Sequence, residues 1–136
     1  MSEKMVAAKL LIKPGAAVWV SDGDRTSLLG PLPEGARLVA SPGEAGLAVV
    51  IADDAAAIRA ALATHLDDLA SRPVLWVAYP KGGRADINRD SLWRLLAPHG
   101  LRPITQVAID ETWSALRFRP LRDDEIEFQG SAGEGA

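Results

Sequence analysis

Apolar residues along this chain gather into short solid runs separated by clusters of turn-forming residues. Ala16 to Val20, Leu47 to Ile51 and Val74 to Ala78 are apolar throughout and flanked by Gly, Pro, Ser or Asp. Runs of this length without polar alternation fit strands buried on both faces, the condition of a parallel sheet. Between the last two, Ile58, Leu62, Leu66 and Leu69 recur at i, i+4, i+8 and i+11. That period marks one face of an α-helix over Asp54 to Leu69, with Asp53 placed to cap it.

The remaining segments follow from turn chemistry. Ser2 to Leu11 reads as a short amphipathic helix closed by Pro14-Gly15. Ser21-Asp22-Gly23-Asp24 reads as a loop with capping residues, and Arg25 to Leu29 as one or two helical turns ended by Pro31 and Pro33. Arg37 to Ala40 is a further strand, Tyr79 to Ile87 a polar loop, and Asn88 the cap of a helix over Arg89 to Ala97 that turns Leu92, Leu95 and Leu96 inward. Ile104 to Ile109 and Trp113 to Phe118 are strands joined by Asp110-Glu111-Thr112, a link so short that the pair must be an antiparallel hairpin.

Strands alternating with helices define an α/β fold: a Rossmann-like, mostly parallel sheet ending in an antiparallel hairpin, with helices on both faces. Residues 1–120 form one domain, and 121–136, acidic and then glycine-rich, are expected to be a flexible tail. One link strains this scheme. Ala40 and Leu47 are closer than the dozen or so residues that a helical crossover takes, so the chain either crosses bare or the two strands are antiparallel. The bare crossover is the reading adopted.

Composition narrows the chemistry. The 136 residues include no cysteine, which removes disulfides, thiolate metal sites and cysteine nucleophiles. A net charge of −3 argues against a broad nucleic-acid-binding face. No stretch approaches the ~20 apolar residues of a membrane helix and the N-terminus lacks a signal-peptide pattern, so a cytoplasmic location is expected and no membrane partner.

Parallel strands ending in a hairpin look like the methyltransferase variant of the Rossmann fold. The local sequence is similar to a narrower group, small bacterial proteins of the domain of unknown function 3052 type. The matching stretches are Ile12-Lys13-Pro14-Gly15, Leu75-Trp76-Val77 running into Pro80-Lys81-Gly82-Gly83-Arg84, and Trp113-Ser114-Ala115-Leu116-Arg117. The resemblance implies the fold and a bacterial cytosolic setting, and it supplies no catalytic residues.

Ligands of open parallel sheets bind beyond the carboxyl ends of the strands. Candidate ligand-binding residues there are Asp22, Gly23, Asp24, Asp53, Tyr79, Lys81, Gly82, Gly83, Arg84 and Trp113. Lys81-Gly82-Gly83-Arg84 pairs flexible glycines with two cations near a helix start and suits a phosphate or carboxylate, although a solvated loop has the same composition. Asp22, Asp24, Asp53 and Asp54 could share a cation, but capping by Asp24 and Asp53 explains them without a metal. His65 and His99 have no ligand-like spacing. Trp19 and Trp76 belong to the core, Trp113 either stacks on a ligand or plugs the sheet end, and Trp93, if exposed, suits a protein contact.

S-adenosylmethionine sites usually need a glycine-rich turn after the first strand and an acid after the second. Here Gly23 stands alone between two aspartates, and Ala40-Ser41-Pro42 occupies the place of the acid. The expectation is therefore a non-catalytic module with no cofactor, binding a small anionic ligand or a protein partner, with self-association as a further option. The alternative is a minimal enzyme dependent on S-adenosylmethionine or a nucleotide.

Overall fold

A computed structural model describes residues 6–70, 74–80 and 89–120, with the side chains of residues 66, 70 and 89 excepted. Its six-stranded sheet is built from β1 (Ala17–Val20), β2 (Arg37–Leu38), β3 (Leu47–Ile51), β4 (Val74–Pro80), β5 (Leu101–Ala108) and β6 (Trp113–Pro120). The strand order is β2-β1-β3-β4-β6-β5. β2, β1, β3 and β4 run parallel, and β6 alone is reversed, slotted between β4 and β5 and antiparallel to both. The apolar runs are buried as their composition requires: all five residues of β3 and the central five of β4 are inaccessible.

Helices cover both faces. On one face α2 (Ala55–Ala70) and α3 (Arg89–Leu96) pack Ile58, Leu62, Leu69, Leu92 and Leu96 against Val50, Leu75, Val77, Leu116 and Phe118. On the other, α1 (Val6–Lys9) and the 3-10 segment Gly23–Leu29 bring Ala7, Leu10, Ile12 and Leu29 onto Val18, Val49, Trp76 and Ala115. The indole of Trp76 is fully buried on this second face and its Nε1–H donates to the Leu10 carbonyl at 2.8 Å.

The link from β2 to β3 is the bare crossover, because β2 and β3 both lie parallel to β1 on its two sides. It is not fully extended: Pro42–Glu44 form a 3-10 turn that buries Pro42 and Ala45. The turn passes close to α2, where a Cβ on Gly43 would stand 3.3 Å from Asp68 Oδ2.

Several boundaries differ from the sequence expectation; β6, for one, continues past Phe118 to Pro120. β2 spans only Arg37–Leu38. β4 continues through Tyr79 and Pro80, so the polar loop starts later. α3 ends at Leu96 and passes into a 3-10 turn, Ala97–His99. β5 begins at Leu101 rather than Ile104, since Pro103 needs no N–H partner on the outer side of an edge strand. The proposed start of the first helix (2–5), the Asn88 cap and the 121–136 tail lie outside the described residues, as does the side chain of Leu66.

Candidate functional site at the carboxyl edge

Because β1, β3 and β4 are parallel neighbours, the loops that follow them open on one rim, and the β5–β6 turn joins it where Trp113 pairs with Pro80. Arg25 is the group that ties this rim together. Its guanidinium contacts Asp53 Oδ1 after β3, lies 3.4 Å from Asp22 Oδ2 after β1, and sits 5.4 Å from the centre of the Trp113 ring at the start of β6. Three loops remote in sequence are therefore joined by one cation through two carboxylates and an aromatic face. Arg25 is held above its ordinary pKa, first by the hydrogen bond to Asp53; desolvation opposes that rise, and the charges of Asp53 and Asp22 add to it.

Capping is the function of different aspartates from those expected. Asp54 Oδ1 accepts from the Ala57 N–H at 3.0 Å and is the cap of α2, while Asp53 turns to Arg25. Asp22, with an extended backbone, caps the first 3-10 turn by accepting from the Asp24 N–H, and Asp24 lies exposed inside that turn. In each acidic pair, only the residue one position before the first helical residue has the geometry to reach forward. Among the described residues no three His, Asp or Glu side chains are grouped to hold a metal ion.

Tyr79 is not at the rim. It is buried in the α2–α3 layer, and its hydroxyl accepts from Gln106 Nε2 at 2.8 Å. Lys81, Gly82, Gly83 and Arg84 lie outside the described residues. Sequence reasoning placed Arg25 at this edge but left it out of the candidate ligand-binding residues. Ser21, placed at the same edge by sequence and likewise left out of the candidate ligand-binding residues, has an Oγ that accepts from the Ile51 N–H at 2.7 Å and locks the end of β1 to the end of β3. The signal for Arg25 was its position three residues after Asp22 in a short helical turn, which puts the two on one side.

Beside the rim, a cleft of about 420 Å³ runs between the end of β1 and α2, lined by Trp19, Ser21, Asp22, Gly23, Ala57 and His65. Trp19 and His65 meet edge to face with ring centres 5.0 Å apart, so His65 is a packing residue. A larger depression of about 840 Å³, along the outer side of α2 between Arg59, Asp68 and His99, lies away from the strand ends. Trp93 is half-buried on α3.

No protein-family model matches the chain, and no curated protein does. Solved structures do. A protein of the NADB-Rossmann superfamily from Streptococcus agalactiae superposes with a TM-score of 0.55 at 11% identity, covering 93% of this chain and 72% of the other. The m1A22 tRNA methyltransferase TrmK of B. subtilis gives a TM-score of 0.52 at 15% identity, covering 88% and 67%. A candidate tRNA (m1A22) methyltransferase of Streptococcus pneumoniae, Sp1610, in complex with S-adenosyl-L-methionine, gives 0.50 at 14% identity, covering 89% and 72%. At these identities the likeness shows the fold: Rossmann-like, of the kind seen in methyltransferases. Among the described residues no helix is long and apolar enough to cross a membrane.

Proposed function

We propose that the protein is a non-catalytic binding module on a methyltransferase-like scaffold. The observation that carries this reading is Arg25. It engages Asp22, Asp53 and Trp113 at once, so the charged and aromatic groups that sequence placed in a pocket are bound to one another. The groups that would hold an S-adenosyl ligand are sparse: Gly23 is the one glycine in the turn after β1, and β2 is two residues long with no acid directly after it. The similarity to the domain of unknown function 3052 proteins goes with this reading.

Of the two occupants considered, a small anion depends on Lys81 and Arg84. The described part of the rim carries Asp22, Asp24, Asp53, Asp54, Asp110 and Glu111 against Arg25, a field that repels anions. A protein partner carrying cationic groups suits it better. Calorimetric titration of the full chain with S-adenosylmethionine and common nucleotides tests the proposal: no heat is expected, and saturable binding accompanied by methyl transfer overturns it. Replacing Lys81 and Arg84 together by alanine tests the anionic branch, which requires loss of anion binding.

A second reading, a minimal S-adenosylmethionine-dependent enzyme, is favoured by one observation, the open cleft of about 420 Å³ against Ser21, Asp22 and Gly23. Under that reading the same titration gives heat, and replacing Ala61, which also lines the cleft, by Phe removes it.

A further inference from the structure

Leu11 carries two costs that nothing in the isolated fold offsets. Its φ is +68°, the one positive value at a non-glycine residue among the described residues. The Leu11 N–H donates to the Ala8 carbonyl at 3.1 Å, and the Ile12 N–H to the Ala7 carbonyl at 2.9 Å. These two bonds close α1 in a Schellman motif, whose left-handed position usually belongs to glycine. A leucine there strains the backbone, because its Cβ crowds the following carbonyl oxygen. The side chain is also 42% exposed, while Leu10 and Ile12 on either side of it are buried. A residue that is strained and also left to solvent points to a role beyond the folded chain.

A shallow groove adjoins it. About 180 Å³ lies between α1 and the passage into β2, lined by Ala7, Ala8, Ile12, Pro31, Leu32 and Pro33. All six are apolar, and the groove is smaller than the ~300–1,000 Å³ of ordinary ligand pockets. It has room for one aliphatic side chain. Charged groups border the same surface. The Gly15 N–H donates to the Glu34 carbonyl at 3.0 Å, which lays the segment after α1 along the segment before β2. Lys13 and Glu34 are exposed on these two segments, and neither has an ion-pair partner among the described residues.

We propose that this face binds a second copy of the chain across a twofold axis. The patch holds a knob, Leu11, and beside it a hole of matching size, so it is complementary to itself, as a twofold interface requires. Leu11 of each copy fills the groove of the other, and Lys13 of each meets Glu34 of the other. The other exposed large apolar residues, Leu38 and Ile104, lie on the two edge strands of the sheet. The β5 edge is guarded by Pro103, which has no N–H, and by Lys9, whose Nζ donates to the Ala108 carbonyl at 3.1 Å. The β2 edge is two residues long, too short for a ladder that holds a partner. The proposed face lies at the amino ends of β1 and β2, opposite the rim that Arg25 ties together, and stands whatever the fate of the function proposed there.

Sedimentation equilibrium of the full chain over rising concentration tests the proposal. A weak, reversible dimer is expected, since so small a patch falls below the ~1,200 Å² of stable complexes. L11G should weaken dimerisation at least about tenfold and raise the melting temperature at dilutions where both proteins are monomers. K13E and E34K should each weaken the dimer, and K13E/E34K should restore it, because the exchanged charges again face one another. I104A, on the far edge strand, should dimerise like the wild type. A wild type that stays monomeric up to about 1 mM overturns the proposal, and so does L11G that dimerises as tightly as the wild type or melts below it. A double variant no tighter than the single ones overturns it too, as does loss of the dimer in I104A, which would assign the interface to β5. A monomer that co-sediments with phosphatidylcholine vesicles through Leu11 would give this face to a lipid surface and overturn the proposal likewise.

Discussion

Trp76 and Leu10 are 66 residues apart in sequence and joined by a buried 2.8 Å hydrogen bond from indole N–H to backbone carbonyl. The bond closes α1 onto the middle of the sheet. Replacing Trp76 by Phe keeps an aromatic ring and leaves the Leu10 carbonyl without its donor, so a loss of at least about 1–3 kcal/mol is expected in urea unfolding. An unchanged midpoint would mean that the N-terminal segment is not docked through this contact.

Asp53 and Asp54 are adjacent and do different things. Asp54→Ala removes the α2 cap and should cost about 1 kcal/mol. Asp53→Ala leaves the cap and should cost less, because its carboxylate is 57% exposed and exposed pairs contribute little. Its signature lies elsewhere: Arg25 loses its main partner, and the fluorescence of Trp113 changes in the wild type but not in a Trp113→Phe background. Equal effects of the two variants on stability would contradict the assignment of the cap.

The Arg25 bridge has a defined pH behaviour. The folded-state pKa of Arg25 is raised, so the contribution of its charge is complete below the ordinary arginine value and is lost only as pH rises through the higher folded value. Between about pH 6 and 10 the Arg25–Trp113 contact should therefore not titrate through Arg25. A Trp113-specific fluorescence change in that range that Arg25→Lys removes would overturn this expectation.

Glycines separate backbone needs from site needs. Gly35 has φ +78°, and a Cβ there would approach the Gly15 backbone nitrogen to 3.4 Å, so Gly35→Ala should cost about 1–2 kcal/mol. Gly23 has neither a positive φ nor a neighbour within 4 Å, so Gly23→Ala should change stability by less than about 0.5 kcal/mol. Thermal unfolding of the two variants side by side checks both expectations.

The parallel core was legible because solid apolar runs such as Leu47–Ile51 have few alternatives, and the hairpin because three residues cannot make a crossover. The position of β6 between β4 and β5 was not legible: strand order is decided by which edges meet in space, and nothing local to Trp113–Pro120 encodes it. The aspartates show a finer limit. Asp53 and Asp54 are equivalent in composition, and one turn of backbone decides which reaches the helix N–H groups and which is left to meet Arg25. Tyr79 illustrates the same point for strands, since β4 goes on pairing through Tyr79 and Pro80 and the Tyr79 ring lies buried in the core.

The eight-residue passage from β2 to β3 marks where this scaffold can grow. It connects two parallel strands with only the short 3-10 turn Pro42–Glu44 between them, and Ala40 lies exposed on it next to the half-exposed Ser41. New sequence admitted between those two residues would interrupt no strand-pairing ladder and would emerge beyond the carboxyl end of β2. A foreign peptide or a small folded unit could be carried there by a sheet that keeps its register.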